Sequence, residues 1–213
     1  MIFDAIRQGD AEQVRALLAA KPELALLRTP EGASTVLWSV YTRNAHLAPL
    51  LLEGRAPDFF EACALGDAAR VAELVTADRE LANQYSGDGF TGLGFAAFFS
   101  QDEVARTLLV SGANACLAAR NVLGVSPLHS ACASRNPAVV KLLLEHGADP
   151  NAVEGNGMTP LHTAAGGGNR EIVGLLVAAG ADRALRSNDG STAADVARAH
   201  GHPEIGGELD HGA

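Results

Sequence analysis

Lysine is almost absent from this 213-residue chain: of its sixteen basic residues only Lys21 and Lys141 are lysines, and the arginines are spread singly. With a formal net charge of −9 there is no basic run or stripe, which argues against nucleic acid, where a basic face supplies most of the affinity. Aromatic residues are also few, at 5%. No apolar run approaches the ~18 residues that a membrane span needs. The opening Met1-Ile2-Phe3-Asp4 has neither a basic segment nor an apolar one, so it is not read as a secretion signal. The three cysteines, Cys63, Cys116 and Cys132, form no CxxC pair and no disulfide framework, which suits a reducing, cytoplasmic setting. HExxH is missing, and no Lys-Ser/Thr follows the glycine run Gly166–Gly168, so neither a designed zinc site nor a phosphate loop is expected. No cofactor is expected. The excess of arginine over lysine, with abundant alanine and glycine, points to a bacterial source.

What the chain does have is self-similarity. Ser126-Pro127-Leu128-His129-Ser130-Ala131 recurs 33 residues later as Thr159-Pro160-Leu161-His162-Thr163-Ala164. A worn copy, Thr192-Ala193-Ala194-Asp195, follows after another 33. Between them, Val140-Lys141-Leu142-Leu143-Leu144-Glu145-His146-Gly147-Ala148-Asp149 parallels Val173-Gly174-Leu175-Leu176-Val177-Ala178-Ala179-Gly180-Ala181-Asp182. In the N-terminal half, Phe3–Val14 matches Phe60–Val71 at an offset of 57, and Pro22–Ala25, Trp38 and Leu51 meet Arg79–Ala82, Phe95 and Leu108 at the same offset.

These motifs resemble the ankyrin-repeat signature, TPLHxA followed by VxxLLxxGADxN. The resemblance is close over about half of the chain and degraded over the rest. It implies an all-α solenoid of about seven helix-turn-helix units with short β-hairpin fingers. One alanine-sized position per first helix (Ala5, Ser39, Ala62, Ala96, Ala131, Ala164, Ala197) marks the register, with steps of 34, 23, 34, 35, 33 and 33. The repeats then run approximately over 2–29, 30–57, 58–86, 87–114, 121–153, 154–186 and 187–213, in one domain, with the last pair shortened as a C-terminal cap. The 23-residue step predicts a missing finger near residues 54–59, where Asp58 and Glu61 read as a capping box. The 35-residue step places two extra residues in the finger at Cys116–Val125.

Local chemistry agrees with that shape. Thr159 suits an N-cap and Pro160 the first helical position, while Gly147 and Gly180 suit helix ends. Gly92 and Gly94 stand in a first helix where other repeats have proline and histidine; each costs about 1 kcal/mol relative to alanine, and Gly166–Gly168 acts alike, so both places are expected to be soft. Asn151 and Asn156-Gly157 suit turns.

Two groupings could carry chemistry. His129 and Cys132 are spaced i, i+3, as a thiolate nucleophile would need. In the resemblance, however, His129 and His162 are structural hydrogen-bonding residues of the motif Ser126, Pro127, Leu128, His129 and Thr159, Pro160, Leu161, His162, and Cys132 is a small packed residue. His200, His202 and His211 lack a metal-binding spacing. The chain is therefore expected not to be an enzyme.

The expected function is protein–protein interaction through a concave groove of first helices and finger tips. Candidate contact residues are Tyr41, Phe90, Phe98 and Phe99 at first-helix ends and the groove, Val122, Leu123 and Val125 on an unusually apolar finger, Asn156 and Met158 on the next, and Asn188 and Asp189 on the last. The aromatics have a second reading, as filler for a core thinned by Gly92, Gly94 and the missing finger. The partner is expected to be a protein or peptide, with no nucleic acid or membrane involved, and the chain a monomer. Alternatives are an inhibitor or immunity protein that captures a basic target with its acidic charge, a Cys/His enzyme, and self-association through the irregular N-terminal half.

Overall fold

Ala5, Ser39, Ala62, Ala96, Ala131, Ala164 and Ala197 are all fully buried in a computed structural model of the chain, which describes residues 1–211 with the His211 side chain left out. Each lies inside a seven-residue first helix: α1 (Ile2–Gln8), α3 (Thr35–Tyr41), α5 (Phe59–Leu65), α7 (Gly92–Phe98), α9 (Pro127–Ala133), α11 (Pro160–Gly166) and α13 (Ala193–Ala199). The second helices are α2 (Ala11–Ala20), α4 (Ala48–Leu51), α6 (Ala68–Ala77), α8 (Asp102–Val110), α10 (Pro137–Glu145), α12 (Arg170–Ala178) and α14 (Pro203–His211). The described residues thus form an all-helical solenoid of seven helix pairs. A small side chain at the marker position lets neighbouring first helices approach, and each pair buries its apolar face on the next.

The last pair is not shortened. α14 has nine residues, as many as α10 and α12, and it is tied back by ion pairs from Arg198 to Asp210 and from Arg170 to Glu208. The short second helix is α4, with four residues. Pro49 has no N–H to give the Ala45 carbonyl, so Ala45–Leu47 closes as a 3₁₀ turn and the α-helix starts only at Ala48.

Side-chain caps start the helices. Ser34, Asp58, Thr91, Ser126 and Thr192 accept the third backbone N–H of their first helices, and Asp10, Asp67, Asn136 and Asn169 cap second helices. Asp58 and Glu61 form the reciprocal capping box.

Turns project between the pairs, three of them closed at the base by single antiparallel bridges, Arg28 to Ser34, Tyr85 to Thr91 and Arg186 to Thr192. Ser86 N–H to the Phe90 carbonyl, Glu154 to Met158 and Ser187 to Ser191 each close a loop over four residues at 2.9–3.0 Å; Ala119 to Val125, at 2.9 Å, closes one over six. Neighbouring turns are stitched by Arg120 N–H to the Gly89 carbonyl (2.8 Å), Gly155 to Leu123 (2.8 Å) and Asn188 to Asn156 (2.9 Å). The turn at 29–33 has a different neighbour. Only residues 52–58 separate α4 from α5, and the 29–33 turn abuts the turn at 86–90 directly. A Cβ on Gly32 would lie 2.6 Å from the Gly87 carbonyl carbon, so this approach requires glycine.

The core forms two clusters. The smaller, around Ile2, Ile6, Val14, Val36, Leu47 and Leu51, belongs to the first two pairs; the larger runs from Ala33 to Leu209. α3 contributes to both, with Val36 on one side and Leu37 and Val40 on the other.

Candidate functional site

A cleft of about 420 Å³ opens between first helices and turns in the middle of the stack. Tyr41 at the end of α3 and Phe98 at the end of α7 form one wall with Phe90 and Phe95. Leu123, Val125, Asn156 and Met158 come from the two following turns. The opposite side is made by α9 and α11 through His129, Ser130, Ala133 and Thr163, with Gly94 on α7 and one carboxylate, Glu154. This size lies within the range of ligand pockets, ~300–1,000 Å³.

The aromatic wall is a connected cluster. Phe95 is buried and stacks nearly parallel to Phe99, with centroids 6.3 Å apart; Tyr41 lies 5.7 Å from Phe99, and Phe98 meets Phe99 edge-on at 5.1 Å. The Tyr41 hydroxyl donates to Asp88 at 2.6 Å. Burial, then the Asp88 carboxylate, raises its pKa, so it stays a donor. Glu154 accepts from the backbone N–H groups of Asn156 (3.0 Å) and Met158 (3.3 Å), which fixes its turn.

Seven of the eleven candidate contact residues therefore share one cavity: Tyr41, Phe90, Phe98, Leu123, Val125, Asn156 and Met158. Phe98 is 49% exposed and Leu123 46%. Phe99, one residue on from Phe98, packs against the core instead. Val122 projects almost fully into solvent from the same turn as Leu123. Asn188 and Asp189 are exposed on the last turn and outside the cleft; Asn188 bonds the carbonyl of Gly155, and Asp189 bonds Ser187 and Ser191. Phe95 and Phe99 thus belong with the core, while the Phe98 ring is left half-exposed at the cleft.

His129 and Cys132 do not form a nucleophilic pair. His129 Nε2 lies 3.0 Å from the Met158 carbonyl and Nδ1 2.8 Å from the Ser126 hydroxyl, so both ring nitrogens are committed. Burial lowers the His129 pKa and pushes the Cys132 thiol up to about 12, which disfavours both imidazolium and thiolate. His162 repeats the geometry, with Thr159 Oγ1 at 2.8 Å and the Ser191 carbonyl at 3.0 Å. A carbonyl only accepts, so the proton is on Nε2 in both rings. His200 Nδ1 bonds its own helix at Val196, 2.9 Å away, and His202 packs over Gly168. The His211 side chain lies outside the described residues.

The glycines expected to soften α7 include one that packing requires. A Cβ on Gly92 would lie 2.9 Å from the Phe59 ring and 3.0 Å from Cys63 Sγ. Gly166 likewise faces Val196 at 3.0 Å.

A buried ion pair escaped the sequence reading. Glu61 is 1% exposed, on α5 where α9 and α11 carry histidine. Its carboxylate accepts from Arg55 Nη1 (2.6 Å), Arg55 Nη2 (2.9 Å), Ser34 Oγ (2.8 Å) and the Asp58 N–H (2.9 Å). Burial alone would raise its pKa, but these donors outweigh burial and hold it below the ordinary value. The pair joins α3, the short 52–58 linker and α5. The one available signal was a basic residue inside the linker facing the capping-box acid.

Comparison with known families matches residues 128–177 to the family described as ankyrin repeats (many copies). The matched stretch runs from α9 through most of α12, the pairs that carry both histidines. Among the described residues no helix is long and apolar enough to cross a membrane.

Proposed function

We propose that this chain, whose residues 128–177 match ankyrin repeats and whose fold is a helical solenoid, is a non-catalytic binding module, as such repeats generally are, with its partner seated on the groove between first helices and turns, centred on the aromatic cleft. The observation that carries this reading is the exposure of Phe98 and Leu123 in one cavity, with Val122 exposed on the same turn as Leu123. Large apolar side chains left in solvent around a concavity gain most from being covered, and a pre-ordered surface loses little entropy on binding. Glu154 is the single carboxylate lining the cleft, so capture of a basic target draws no specific support from this site.

The test is affinity capture from the source cell with wild type and with a Phe98→Ser, Val125→Asp variant of unchanged helicity. A partner held by wild type and lost by the variant is the expected result. Equal capture by both would remove the cleft from the partner surface.

A further inference from the structure

The repeat pattern is left incomplete at Gly94. In α9 and α11 the third helical residue is a histidine whose Nε2–H reaches the carbonyl just before the next first-helix cap: Met158 for His129 and Ser191 for His162, both at 3.0 Å. In α7 the same position is Gly94, and the matching carbonyl is that of Val125. The Val125 carbonyl accepts the Ala119 N–H at 2.9 Å, as Met158 accepts Glu154 and Ser191 accepts Ser187. The second bond, which an imidazole supplies in the next two repeats, has no donor among the described residues.

There is also room. Within 4 Å a Cβ on Gly94 would meet only Thr91 Oγ1, at 3.2 Å. The space beyond belongs to the cleft, which Gly94, Val125 and His129 all line. Ser130 lines it too and is 5% exposed. The cleft therefore combines aromatic walls with a backbone acceptor that lacks the second donor of the next two repeats.

We propose that a tryptophan side chain of the partner protein completes this site. Its ring lies among Tyr41, Phe90 and Phe98, and its N–H donates to the Val125 carbonyl. Indole fits better than imidazole because the cavity, at about 420 Å³, exceeds a histidine-sized gap and is walled by rings. Indole is a donor only, as the carbonyl requires. A phenylalanine would leave the acceptor unmatched.

This inference rests on the groove being the partner surface, and its test probes the chemistry of the cleft alone. Amide NMR spectra of the full chain are recorded with N-acetyl-L-tryptophanamide, its indole-N-methyl analogue and N-acetyl-L-phenylalaninamide, each at millimolar concentration. Tryptophanamide is expected to shift the amides of Gly94, Val125 and Ser130. Methylating the indole nitrogen is expected to weaken binding about fivefold. Gly94→His, which installs the residue of the next two repeats, is expected to keep a folded spectrum and lose the response. Equal affinity for the methylated probe, unchanged binding by folded Gly94→His, or no response at these amides would each overturn the inference. Those results would leave the partner-binding reading standing if the capture difference holds. Loss of that difference would remove the reading even where indole binds.

Discussion

Removing Arg55 is the sharpest test of how the short linker is held. The Glu61 carboxylate is 1% exposed, and Arg55 supplies two of its four hydrogen bonds. Breaking a buried pair by deleting one partner costs about 3–5 kcal/mol, because the remaining charge is left uncompensated. In Arg55→Ala the carboxylate keeps Ser34 and the Asp58 N–H, so the lower end, about 3 kcal/mol, applies. For a chain of this length that corresponds to about 6–12 °C in Tm. Glu61→Gln strands the guanidinium instead. Arg55 is 28% exposed and recovers part of its hydration, so about 2 kcal/mol is expected. Replacing both residues by methionine is expected to recover most of the loss, since an apolar pair leaves no charge behind. Urea unfolding of the four proteins ranks them. The pair also sets an acid limb. Glu61 has a lower pKa folded than its ordinary 4.5, so its contribution is complete above about pH 4.5 and is lost as pH falls through the folded value. The gap between wild type and Glu61→Gln therefore narrows below that pH. Arg55→Ala within about 0.5 kcal/mol of wild type, the range of ordinary surface changes, would refute the reasoning.

Other outcomes follow from single contacts. His162→Ala removes the link from α11 to the Ser191 carbonyl and is expected to cost about 1–2 kcal/mol by urea unfolding. Burial lowers the His129 pKa below its ordinary 6.5, so the folded state resists protonation; its stability contribution is complete above about pH 6.5 and declines as pH falls, which a His129→Gln comparison across pH 7 to 5 would register. Gly92→Ala is expected to destabilise by about 1–2 kcal/mol through its clash with Phe59, although alanine is the better helix former. Gly174→Ala, with nothing within 4 Å, is expected to stabilise by about 0.5–1 kcal/mol; calorimetry of both variants checks the contrast. A thiol reagent is expected to modify exposed Cys116 quickly and to leave buried Cys63 and Cys132 until the chain unfolds.

The helical solenoid was legible because its signals are local and repeated. Proline after serine or threonine, histidine two residues later and a small residue two beyond that each answer a fixed geometric need. Roles set by residues far along the chain were not legible. Asn151 reads as a turn residue, yet its side chain donates to the Gly180 carbonyl at 3.1 Å and accepts the Asp182 N–H at 2.7 Å, clamping the next repeat. Gly92 reads as a weak helix residue because the Phe59 ring that fills its space lies thirty-odd positions away. Phe98 and Phe99 could not be told apart, since adjacent residues at a helix end differ only in direction, and the direction decides which joins the core. Pro49 is a readable signal for the short α4.

The most direct test of the central claim places a photo-reactive phenylalanine analogue at Leu123, beside the cleft, and in a second protein at Val110, at the exposed end of α8. Illumination in the source cell followed by mass spectrometry reads which position lies against another protein. The account predicts one dominant cross-linked protein from position 123, suppressed by Phe98→Ser, and none of it from position 110. The same protein cross-linked from 110 and absent from 123 would contradict it.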